Sequence, residues 1–218
     1  IYGTPLVIFE DSASSFNKWT STKWNITTAQ SHSPSTSIAD SPFGQYNNNE
    51  NNVITLNESI DLTDRVYASL GYWARWDVES GYDYVQVFIS DNNGSTWILV
   101  EGKYTHSGNA NQATGEPLYD GTQTEWVKEE INLENYLDKE IRIRFKLVSD
   151  VYVVGDGFYW DDMSVTVIDL ATGMEDKPAE QDGLVSVYPN PSSGNITLTY
   201  SGEHLRNGNS AFRLYDLN

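Results

Sequence analysis

From Val66 to Trp76 the side chains alternate in a way that only an extended strand can use. Val66, Ala68, Leu70, Tyr72, Ala74 and Trp76 fall on one face, and Ser69, Gly71, Trp73 and Arg75 on the other. The same period recurs twice. Val85, Val87 and Ile89 alternate with Gln86 and Ser90, and Ile141, Ile143, Phe145 and Leu147 alternate with Arg142, Arg144 and Lys146. Clusters of Gly, Asn, Asp and Ser separate such runs from Leu6 to about Ile168, and helical periodicity is nearly absent. The predicted fold class is therefore all-β, an antiparallel β-sandwich of the jelly-roll kind whose strands keep one wet face. Ser90–Trp97 predicts a tight hairpin, with Asn93-Gly94 at the positions that need positive φ. It has the spacing of an Asp box with Asn92 in the usual Asp position, which marks a turn and not a sialidase.

Two stretches are expected to be long loops, Ser31–Asn52 and Gly102–Glu125. Their aromatics, Tyr104 and Tyr119 with Phe43 and Tyr46, are candidate ligand contacts, as is Trp73 on the wet face of its strand; packing of the loops onto the sheet is the alternative.

Charge and composition remove several function classes. Lys and Arg number 13 against 31 Asp and Glu, a net charge of −18 that repels phosphate backbones, so nucleic acid is not an expected partner and cations are. With no Cys there are no disulfides or thiolate metal sites. His32, His106 and His204 are isolated, without the spacing of a zinc centre. Nucleotide-binding loops and the nucleophile elbow are missing, and the adjacent Glu129 and Glu130 point to opposite faces of a strand rather than across a cleft. Catalysis by this chain itself is not expected, nor is a membrane span, since no apolar run approaches about 20 residues. The opening Ile1-Tyr2-Gly3-Thr4-Pro5 lacks a basic signal-peptide start, and the sequence reads as a piece of something longer.

Acidic residues form one suggestive pattern. If Met163, Val165 and Val167 face the core, period two puts Asp161 on the same inner side, with Asp162 facing outward or to the rim. A carboxylate buried alone costs several kcal/mol, so Asp161 must be paired or bound to metal. The apolar strand Val7-Ile8-Phe9 ends in Glu10-Asp11, and first and last strands of jelly rolls lie side by side; Asp40 is a third candidate. Hard oxygen donors of this kind suit a structural Ca²⁺, while hydrogen bonds from backbone N–H groups or an arginine to Asp161 are the alternative.

Several phrases in order carry a family resemblance. They include Phe9-Glu10-Asp11, Ser31-His32-Ser33, Asp40-Ser41-Pro42, Asp83-Tyr84-Val85-Gln86-Val87, Ile141-Arg142-Ile143-Arg144-Phe145 and Gly157-Phe158-Tyr159-Trp160-Asp161-Asp162. Together they resemble the MAM-like jelly roll of immune inhibitor A peptidases and of secreted bacterial zinc carboxypeptidases and subtilases. The resemblance implies a non-catalytic accessory or adhesion module whose partners are the parent's catalytic domain and an extracellular protein or glycan. Glu10, Asp11, Asp40, Asp161 and Asp162, with a loop carbonyl near Ser37, would be the calcium ligands. A carbohydrate-binding module is the alternative function.

Residues 1–168 are expected to form this domain and 169–183 a linker. Residues 184–218 are expected to form a partial Ig-like β segment, its strands joined by Pro189-Asn190-Pro191-Ser192-Ser193-Gly194. The phrase Tyr188-Pro189-Asn190-Pro191 with Gly194 resembles the start of a type IX secretion sorting domain. That would make the secretion machinery a partner and place the parent among the secreted or cell-surface proteins of the Bacteroidota.

Overall fold

The computed structural model describes residues 3–169, 184–188 and 197–201. The chain divides into two compact units, one ending at Ala171 and the other beginning at Thr172. In the first, the strands are β1 (Leu6–Asp11), β2 (Trp19–Ser21), β3 (Asn25–Thr27), β4 (Ser37–Ala39), β5 (Asn51–Leu56), β6 (Ile60–Asp61), β7 (Arg65–Val78), β8 (Tyr84–Ser90), β9 (Ile98–Leu99), β10 (His106–Ser107), β11 (Pro117–Leu118), β12 (Gly121–Asn132), β13 (Glu140–Val148) and β14 (Gly157–Asp169). One sheet runs in the order β12-β7-β14-β4-β3, with β1 also on β14; the other runs β2-β5-β13-β8-β9, with β6 also on β13. All pairings between these strands are antiparallel, and the two sheets make the sandwich that the alternating runs predict.

Between the sheets the inward residues of the periodic runs meet. Ala68, Leu70, Tyr72 and Ala74 of β7 are fully buried, as are Val85 and Ile89 of β8 and all four inward residues of β13. Phe145 is the centre of an aromatic cluster, with ring centroids at 5.3 Å from Tyr72, 5.9 Å from Trp160, 6.1 Å from Trp24 and 6.2 Å from Phe158. The hairpin at Asn93-Gly94 forms as expected, with φ of 56° and 87°. Asn92 Oδ1 accepts the Thr96 N–H at 2.9 Å, and the Arg144 guanidinium lies 3.8 Å from the Trp97 ring centroid.

The expected loop Ser31–Asn52 is interrupted by β4, which fills the sheet between β3 and β14. Its three residues are too few to show a period, and all are buried. β14 pairs with β7 along most of its length, whereas its other edge changes partner. Tyr159 and Trp160 face Ala39 and Ile38 of β4, and Met163 onward faces β1, so Asp161 and Asp162 lie where one neighbour gives way to the other.

In the second unit β15 (Leu184–Tyr188) and β16 (Thr197–Ser201) pair antiparallel, in line with two strands on either side of the 189–194 turn. Of the expected linker at 169–183, Asp169 is the last residue of β14; the rest of it, the turn at 189–194 and His204 lie outside the described residues.

Candidate functional site

The change of partner along β14 is accompanied by a β-bulge. The register with β7 shifts between Asp161 and Ser164, and Asp162 has φ +46°. Phe158 and Trp160 point into the core before the bulge, and Met163, Val165 and Val167 after it. One inserted residue resets the phase, so Asp161 is not inward as period two predicts. It pairs with Trp73 on the outer face of the sheet. Its burial, 0% exposure, comes instead from the His32-Ser33 segment laid over it.

That segment satisfies the carboxylate. Asp161 Oδ2 accepts the N–H groups of His32 and Ser33, both at 2.9 Å, and Oδ1 accepts the Asp162 N–H at 2.8 Å. Burial pushes the Asp161 carboxyl up from its ordinary range, and these N–H donors oppose the shift. Asp162 faces the rim, with Ser33 Oγ donating to Oδ1 at 2.8 Å and His32 Nδ1 at 2.7 Å from Oδ2. The His32 ring stacks on Trp73 at 3.9 Å with Trp126 at its edge, 6.1 Å away.

The other predicted ligands divide between places. β1 does lie beside β14, and Glu10, Asp11 and Asp162 line one cleft. Both Asp11 oxygens are engaged, by the Ala13 N–H at 2.9 Å and Trp19 Nε1 at 2.8 Å. Ser37 donates its hydroxyl to the Gln30 carbonyl at 2.7 Å. Asp40 lies across from Phe158, whose N–H donates to its Oδ1 at 2.5 Å. Three residues along β14 put it about 10 Å from Asp161. Among the described residues the predicted acids do not form a group of three with oxygens close to one another, and the buried oxygens of Asp11 and Asp161 already have N–H donors. Asp40 Oδ2 is buried without a partner, and burial raises this carboxyl to about 7.

The candidate ligand aromatics need correction too. Tyr119 is fully buried, donating to Glu129 Oε2 at 2.8 Å and standing 2.9 Å from the Tyr72 hydroxyl, so it cannot meet a ligand. Tyr104 packs partly against the core, and its N–H donates to Glu129 Oε2 at 3.0 Å. Glu129 is fully buried while Glu130 is exposed, the opposition expected of neighbours on a strand. The Trp73 ring has one face under His32.

A further acidic group lies outside the predicted set. Among the described residues, Glu79, Asp83 and Asp150 each bring a carboxylate oxygen within 4.8 Å of the other two. Asp83 is fully buried, and its Oδ1 accepts the Asp150 N–H at 2.6 Å. Burial raises the Asp83 carboxyl, and the Asp150 N–H and, after it, the Tyr46 hydroxyl oppose the shift; Oδ2 is buried without a hydrogen-bond partner of its own. Burial and the charges of Asp150 and Asp83 raise Glu79 as well. The phrase Asp77-Val78-Glu79-Ser80-Gly81-Tyr82-Asp83 is a local signal of acids around a glycine turn. Asp150 joins it only because β13 pairs with β8, Val148 against Tyr84.

The fold is an antiparallel β-sandwich with carboxylates gathered at its rims. Residues 18–183 match the profile of the immune inhibitor A-like MAM domain, and the chain belongs to that family. Immune inhibitor A of Bacillus thuringiensis subsp. alesti is 24% identical over 118 residues, 54% of this chain and 16% of that protein, so the chain spans a small part of its relative. Among solved structures, the CBM22-1 xylan-binding domain of Paenibacillus barcinonensis Xyn10C is similar at 15% identity, with 78% of this chain and 99% of that one covered and a TM-score of 0.48. The K1 cleaved adhesin domain of Lys-gingipain from Porphyromonas gingivalis W83 is similar at 13% identity, covering 78% and 100%, with a TM-score of 0.44. Neither of these two likenesses bears on function. No helix among the described residues is long and apolar enough to cross a membrane.

Proposed function

We propose that this chain is a non-catalytic accessory module of a secreted or cell-surface peptidase. The observation that carries this reading is the MAM-domain match across residues 18–183, together with the relation to a small part of immune inhibitor A. Its expected partner is the catalytic domain of the same parent protein. The segment from Leu184, with its Tyr188-Pro189-Asn190-Pro191 phrase, is proposed to address the parent to type IX secretion. The test is the parent open reading frame and its deletion variant: a peptidase domain in frame is expected, and removing the module should lower the amount of active enzyme outside the cell. Peptide turnover by the isolated chain, or a frame without any hydrolase, refutes the reading.

Structural calcium between the first and last strands belongs to this proposal in a reduced form. The cleft shared by Glu10, Asp11 and Asp162 supports it, while the engaged oxygens of Asp11 and Asp161 do not call for an ion. A glycan-binding role is the second reading, favoured by Trp73, His32 and Trp126 grouped on the outer sheet face. Affinity electrophoresis in soluble polysaccharides tests it: retardation by one of them that Trp73→Ala and Trp126→Ala abolish supports the reading, and unaltered migration in all refutes it.

A further inference from the structure

We propose that Glu79, Asp83 and Asp150 form a cation site that takes Ca²⁺ and ties the β7–β8 turn to the segment after β13, on the rim where the chain crosses between sheets. The inference is independent of the accessory-module reading and of the cleft beside Glu10.

The three carboxylates present oxygens within 4.8 Å of one another, and among the described residues no lysine, arginine or histidine forms an ion pair with any of them. Proximity of acids alone would be a repulsive surface patch. What points to a ligand is Asp83, which is fully buried, spends Oδ1 on the Asp150 N–H and leaves Oδ2 buried with no partner. Glu79 Oε2 is a second buried oxygen without a partner. Leaving a buried acceptor of an ionised group unsatisfied is among the costlier things a fold can do, and a cation removes that penalty for both groups at once.

The surroundings hold these acids in place. The Glu79 N–H donates to Tyr46 Oη at 3.0 Å, and the Asp83 N–H to the Glu79 carbonyl at 3.2 Å. Gly81, at φ +81°, donates to Asp120 Oδ2 at 2.6 Å. Gln112 Nε2 bridges the same Asp120 oxygen at 2.8 Å and the Asp83 carbonyl at 3.0 Å. The Asp150 carbonyl accepts the Asn49 N–H at 2.6 Å. All donors offered to the ion are hard oxygens, without sulfur or imidazole, which selects Ca²⁺ or Mg²⁺ over softer metals. Oxygens on one Ca²⁺ at about 2.3–2.6 Å stand at most about 5 Å apart. The 4.8 Å ceiling of this set fits that span. The irregular donor arrangement, drawn from a turn and a strand exit, fits flexible calcium coordination better than the strict octahedron of Mg²⁺.

The experiment uses the full chain, stripped with chelator and dialysed, titrated with CaCl₂ by calorimetry and melted with CaCl₂ or EDTA. One calcium is expected to bind at this rim, and calcium at about one-hundred-fold over its Kd should raise Tm by about 5–10 °C. Glu79→Gln and Asp150→Asn should each weaken that binding at least about tenfold and remove the Tm rise. In EDTA, Glu79→Gln should melt no lower than wild type, because it relieves repulsion; a merely structural glutamate would give the opposite sign. Asp162→Asn, in the other cleft, should leave this binding unchanged. Wild-type protein that binds no calcium, or binding lost in Asp162→Asn and retained in both rim variants, overturns the proposal.

Discussion

Asp40 makes the chain's stability depend on pH in a direction opposite to that of most acids. Asp40 is 2% exposed, one of its carboxyl oxygens accepts the Phe158 N–H and the other has no partner. Burial is the main cause that raises it from 3.8 to about 7 in the folded chain, and Asp156 adds a smaller push. Between those values the folded state holds a proton that the unfolded state has released, so the contribution of this group is largest below pH 4 and declines as pH rises through about 7. The full swing is about 4 kcal/mol, of which about 3 falls between pH 5 and pH 8. Asp40→Asn keeps an acceptor for the Phe158 N–H and cannot ionise. Urea unfolding of both proteins in EDTA, at half-unit steps from pH 5 to pH 8, isolates the term, because the other acids cancel in the difference. The wild type should lose about 3 kcal/mol relative to the variant over that range. Parallel curves, or a difference that grows in the wild type's favour as pH rises, would refute the buried-acid argument.

Other substitutions test the packing and the bulge. Phe145→Ala empties the centre of the aromatic cluster and should cost about 3–5 kcal/mol by chemical denaturation, with no change in the sign of the pH dependence. Gly157→Ala should destabilise by more than about 1 kcal/mol, since Gly157 has φ +97° and a Cβ there would stand 2.4 Å from Asp40 Oδ1 and 2.6 Å from Ser41 Oγ. Asp161→Ala strips the acceptor from three N–H groups and should cost about 2–4 kcal/mol. Hydrogen exchange should then lose protection at His32 and Ser33 first, and unchanged protection there would show that the segment is held by other contacts.

The longer strands and their core faces could be read from the chain, whereas the short β4, β10 and β11 and the start of β12 lie inside stretches expected to be loops. Alternation in β7, β8 and β13 names the residues that meet between the sheets, because each side chain's face follows from its position in an extended backbone and both sheets bury one face. The hairpin at Asn93-Gly94 and the opposite burial of Glu129 and Glu130 follow from equally local rules. The side-by-side placement of β1 and β14 also agrees with expectation.

Local period failed at Asp161, and the failure has a definite cause. An extra residue at the bulge shifts the phase of one strand, and nothing in Trp160-Asp161-Asp162-Met163 announces it, because the shift arises where β14 exchanges β4 for β1 along its edge. Burial of that acid comes from His32 and Ser33, nearly 130 residues earlier, so no local pattern reveals its hydrogen-bond donors. The acids around Gly81 could be seen as a turn, but Asp150, 67 residues from Asp83, joins them through the pairing of β8 with β13. Sequence alone determined which residues of the long periodic runs are extended and which of their faces are apolar, since those depend on neighbours along the chain. Which carboxylates are buried together, and which already have a donor, was decided by tertiary structure, because both depend on groups brought close by pairing between distant strands.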